Sequence, residues 1–130
     1  MKELIKAVEA IITGVHSRSY LEEAPQKDPD TNLPPVKPYV VFKFPTSTPN
    51  FTREDFILSV DIWGDDPDTT EIEQITTKID TALDRQMVFI QGKLSTRFYR
   101  INRNMLPDPD QRLRRRELRF ECKTYLKTYF

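Results

Sequence analysis

The stretch from Glu54 to Arg85 constrains this chain most, because its hydrophobic period changes once, across a single turn. Phe56, Leu58, Val60 and Ile62 alternate with Ile57, Ser59, Asp61 and Trp63. A period of two is a strand with one buried face and one mixed face. Gly64-Asp65-Asp66-Pro67-Asp68 stops it. Beyond the turn, Ile72, Ile75, Ile79, Ala82 and Leu83 share one face of a helix. Thr70 and Glu73 have capping-box spacing, and Asp68, Glu71 and Glu73 suit the positive end of a helix. As a capping residue, Glu73 would contribute about 1 kcal/mol or less. Strand and helix together predict a core to which the other segments are added.

With 130 residues the chain suits one domain, 1–130, with a core of its own. Its twenty basic and twenty acidic side chains cancel, so overall charge favours neither nucleic acid nor membrane as a partner. The apolar runs are too short for a membrane span, and the amphipathic start does not read as a secretory signal. The single Cys122 lies in a strand pattern, which predicts a buried, reduced thiol and suits a reducing cytoplasm.

Leu4, Ile5, Val8, Ile11, Ile12 and Val15 form a helical stripe, predicting a helix over 2–13 with Gly14 as its stop. Residues 17–37 hold four prolines and many charges without a lasting period. They read as a long loop, poorly ordered in the free subunit. A strand is expected over 38–45, with Pro45 marking its boundary, and a polar loop over 46–53. Met87-Val88-Phe89-Ile90 is apolar but brief. Strands are expected over 97–103 and along the final segment. There Leu118, Phe120, Cys122 and Leu126 oppose Arg115, Glu117, Arg119, Glu121, Lys123 and Lys127. The order α-β-β-α-β-β predicts an α+β fold. Its mainly antiparallel four-stranded sheet would carry two helices packed on one face, with a long proline-rich loop after the first helix.

Few motifs carry chemistry. Asp28-Pro29-Asp30-Thr31-Asn32 opens like a calcium loop, but Leu33 and Tyr39 stand where such a loop needs Gly and Glu. Asp65, Asp66 and Asp68 could face a divalent ion, yet a turn before a helix wants the same acids. His16 and Cys122 have no spacing that argues for a nucleophile pair. Catalytic, cofactor and metal residues are therefore assigned to none. Arg112, Arg114, Arg115, Arg116 and Arg119 make a basic run, which strand geometry divides between two faces.

The layout as a whole resembles a known family. The marks are the short first helix, the long loop, Pro38-Tyr39-Val40-Val41 opening a strand and Asp61-Ile62-Trp63 closing the next. The helix from Thr70 through Ala82-Leu83 and Arg119-Phe120-Glu121 in an arginine-rich last strand complete them. Together they look like the tail terminator, or tail completion, proteins of long-tailed bacteriophages. The resemblance lies in order and spacing and implies a structural protein rather than an enzyme, without cofactors. It implies a cap on the tail tube, usually a ring of six subunits, with the free subunit able to exist as a monomer. Such a ring stops tube polymerisation and offers a surface to the head-completion protein. DNA passes through it without specific recognition, and no membrane is involved. The expected location is the virion, with the host cytoplasm during assembly. The resemblance and the alternating charges together nominate Arg115, Glu117, Arg119, Glu121 and Lys123 as subunit-interface residues. The alternative is a small nucleic-acid-binding protein using Arg97, Arg100, Arg103 and the run from Arg112 to Arg119.

Overall fold

The computed structural model describes residues 2–22, 36–50, 53–106 and 113–126. The order of elements is α1 (Lys2–Val15), β1 (Ser19–Leu21), β2 (Tyr39–Asn50), β3 (Arg53–Gly64), α2 (Thr70–Leu83), β4 (Met87–Ile90), β5 (Leu94–Leu106) and β6 (Arg114–Leu126). One sheet takes all six strands in the order β1-β2-β3-β6-β5-β4 and curls into a half-barrel. β1 lies parallel to β2, whereas every other pairing is antiparallel.

The expected four-stranded antiparallel sheet in α-β-β-α-β-β order is therefore wrong, and the sheet is six-stranded and mixed. Both missed strands are short edges. β1 pairs Ser19, Tyr20 and Leu21 with Val40, Val41 and Phe42, and two further backbone bonds flank the pairing, Val40 N–H to Arg18 O (2.9 Å) and Glu22 N–H to Phe42 O (2.8 Å). Parallel neighbours need a connection of about a dozen residues or more, and the stretch 22–38 has that length. The segment read as a loop thus begins with a strand; residues 23–35, on which the rest of that reading falls, lie outside the described residues. β4 turns Val88 and Ile90 toward the core and leaves Met87 and Phe89 exposed.

Three boundaries also differ. β2 continues through 46–50, because a register shift between Lys43 and Thr46 absorbs Pro45. A bulge is where a strand tolerates a residue that cannot donate to the ladder. β5 runs on both sides of the expected 97–103, with its own irregularity between Arg100 and Asn102. Gly14 lies inside α1, which ends one residue later at Val15.

A single core joins sheet and helices. Leu4, Val8 and Ile12 of α1 and Ile72, Ile75, Ile79 and Leu83 of α2 pack with Leu58, Val60, Ile62, Leu118 and Phe120. Both helices therefore cover the same face of the sheet. Gly64 ends β3 where α2 passes overhead; a Cβ there would stand 2.6 Å from Cγ2 of Ile72. The buried hydroxyls of Thr96 and Thr124 bond each other at 2.9 Å, so the core face keeps its polar atoms satisfied there.

Candidate assembly interface

Where the helices meet the sheet, α2 is tied to β5 and β6 by ion pairs. Glu73 does not close a capping box: Thr69 is the N-cap residue, and its side chain makes no capping hydrogen bond. Instead the Glu73 carboxylate accepts from Nε of Arg116 and, at 2.8 Å, from Nη2 of Arg103. Arg116 is almost wholly buried, so its guanidinium needs this counter-charge more than the helix end does. The Arg116 hydrogen bond, more than that of Arg103, holds the Glu73 carboxyl below its ordinary range. Arg103 also donates to Thr77 Oγ1 (3.1 Å), and Arg100 pairs with Asp80 at 2.6 Å. At the helix start, Asp68 Oδ1 accepts from the N–H (3.0 Å) and the hydroxyl (2.6 Å) of Thr70. A hollow of about 670 Å³ runs along this polar side of α2, and its Glu73 and Thr77 are already held by those arginines.

The face of the sheet turned away from the helices, which no described helix covers, carries the β6 row. Arg115, Glu117, Arg119, Glu121 and Lys123 point there, but as half-buried rather than fully exposed side chains, because β6 lies between β3 and β5. Arg115 pairs with Asp61 (3.1 Å) and stacks 4.9 Å from the Trp63 ring centroid. Glu117 accepts from Ser59 Oγ (3.3 Å) and Asn104 Nδ2 (3.2 Å). Lys123 lies 5.2 Å over the Tyr99 ring. Arg119 and Glu121 form no ion pair with another described residue. Asp61 is buried at the foot of the row, and one of its carboxylate oxygens, Oδ1, has no hydrogen-bond partner among the described residues. Burial pushes its carboxyl up, against the pull of Arg115.

The comparisons decide what kind of chain this is. Residues 4–125 match the family model described as tail completion protein gp17. The chain belongs to that family. It is a structural protein of the phage tail. A chain in the structure titled "Virion of native gene transfer agent (GTA) particle" has the same fold, with a TM-score of 0.61 at 14% identity, covering 88% of this chain and 84% of that one. No curated protein sequence matches.

Other residues singled out by the sequence have local roles in this tail completion protein. Cys122 is buried between its strand neighbours Phe56 and Phe98, and burial raises its thiol pKa far above the ordinary value. His16 Nε2 lies 2.8 Å from the Pro38 carbonyl, which also accepts from Arg18 Nε (3.1 Å). Asp66 and Asp68 accept from the chain's own donors. The Asp28–Asn32 stretch and Arg112 lie outside the described residues. Among the described residues no group of acids, histidine and cysteine is arranged to hold a metal, and no helix is long and apolar enough to cross a membrane.

Sequence reasoning missed a cleft at the other end of the uncovered face, where Arg53, Arg97, Lys123 and Tyr125 converge. The available signal was Phe89 and Met87, apolar residues in a segment bounded by turns. Without β4 as a strand, they had no face to be assigned to.

Proposed function

We propose that this tail completion protein closes the end of the tail tube as a ring of identical subunits, usually six. In that position it stops tube polymerisation and presents the surface on which the head-completion protein joins. DNA traverses the ring without sequence recognition. In this reading the protein catalyses no reaction and needs no cofactor; it works in the virion and, during assembly, in the host cytoplasm. A ring requires a head-to-tail interface, with unlike surfaces on the two sides of each subunit.

One observation carries the reading: both helices cover one face of the sheet, leaving the other with a row of charges only partly committed within the subunit. Surface ion pairs contribute little to a monomer, roughly 0–1 kcal/mol each, and Arg119 and Glu121 form none with another described residue. Across an interface the same charges set register and reject shifted alignments. Arg119 and Glu121 are the members to test, since Arg115, Glu117 and Lys123 have neighbours of their own. The nucleic-acid reading has no comparable support. Arg100, Arg103 and Arg116 are bound to acids of α2 rather than gathered in a basic stripe.

Arg119→Glu tests the proposal, because the side chain points away from Leu118, Phe120 and the core. Its thermal midpoint should match wild type, while light scattering at high concentration, or with added tail tubes, should show loss of ring closure. Normal closure by Arg119→Glu would remove the charge row from the interface.

A further inference from the structure

The missed cleft has a volume of about 290 Å³ and lies where β3 begins. Met87, Tyr99 and Tyr125 in its lining are 56%, 38% and 39% exposed, a large apolar presence for a solvated sheet face. Three cations rise from it. Arg53 pairs with Asp55 at 2.9 Å, and Lys123 rests over Tyr99. Among the described residues the only polar contact of Arg97 is the Met87 sulfur, at 3.8 Å. A guanidinium with so weak a partner, beside half-exposed rings, suits a carboxylate carried on another chain segment.

The same strand ends in the opposite charge. β3 runs from Arg53 to Gly64 and continues directly into Asp65, Asp66 and Asp68, all exposed. Asp66 and Asp68 accept backbone N–H groups, which hold the turn in shape while leaving its negative charge in place. Asp65 has no hydrogen bond to another described residue. At about 3.3 Å per residue, the two ends of this strand stand roughly 40 Å apart. The basic cleft and the acidic turn cannot meet within one subunit.

We propose that the cleft around Arg97 receives the acidic turn 65–68 of a second copy of this chain. The contact rests on the ring reading and names its two unlike surfaces. Each subunit offers a basic, aromatic cleft to one neighbour and an acidic turn to the other, so the contact repeats head to tail and can close. Charge complementarity between the cations of the cleft and the exposed acids of the turn supports a second copy of this chain as the occupant. It also extends the interface of the β6 row, whose last member, Lys123, lines the cleft.

Charge exchange tests it. Arg97→Glu and Asp65→Lys change exposed side chains and should leave the thermal midpoint unmoved. Each alone should weaken assembly at least about tenfold, measured by light scattering at high concentration and low salt, with and without tail tubes. The double variant, with both signs exchanged, should recover assembly. Single variants that assemble like wild type, or a double variant no better than either, would overturn the contact while the ring reading stands on the wild-type rings. A wild-type chain that stays monomeric even on tail tubes would remove both.

Discussion

Glu73 stands in the first turn of α2, where the helix dipole alone would account for an acid. Its carboxylate nevertheless serves Arg116 and Arg103, from β6 and β5. Glu73→Ala should therefore destabilise by about 1–3 kcal/mol, the range for stranding a buried donor. That is more than a lost cap, but below a fully buried pair, because Glu73 is 40% exposed and partly screened by water. Denaturant midpoints for the variant and wild type measure it. The two shifted carboxyls predict opposite pH behaviour. Glu73 is lowered, so its contribution is present above its unfolded value and lost as pH falls through the folded one. Asp61 is raised, so the fold loses stability as pH rises from its unfolded value through the folded one. Measured from about pH 3 to pH 7, Glu73→Gln should fall further behind wild type as pH rises. Asp61→Asn should gain on wild type over the same range. Parallel profiles would contradict the pairing of Glu73 with Arg116.

At the scale of elements, α2 and β3 are held by the core they share. Ile79→Ala should cost about 2–4 kcal/mol, since the side chain is fully buried against the sheet; a denaturation midpoint close to wild type would contradict that placement. These two elements were legible in the sequence because their apolar periods are long and unbroken from Phe56 to Ile62 and from Ile72 to Leu83. β1 and β4 were not, because three or four residues at a sheet edge cannot establish a period, and each leaves part of its side chains in water. Pro45 misled as a boundary because a bulge accommodates it. The Glu73–Arg116 pair was illegible for another reason: its partners are 43 positions apart, and a nearer explanation for the acid lay in its own helix. For the candidate interface, alternation placed the β6 row on the uncovered face, but not how far Asp61, Ser59 and Tyr99 would engage it.

At the scale of the whole molecule, the sheet divides the protein into a side closed by two helices and a side of charges and exposed rings. The β3 strand spans that second side from a basic cleft to an acidic turn. A subunit with unlike ends is suited to head-to-tail closure, and closure is what a cap on a tube of fixed length requires. The central claim is that this chain ends tube growth. It is tested by polymerising tail-tube protein with and without the purified protein and measuring tube lengths in electron micrographs. The account predicts short tubes bearing a ring at one end, and with Arg119→Glu, uncapped tubes as long as those grown alone. Tubes that lengthen equally with and without the wild-type protein, and carry no ring, would contradict it.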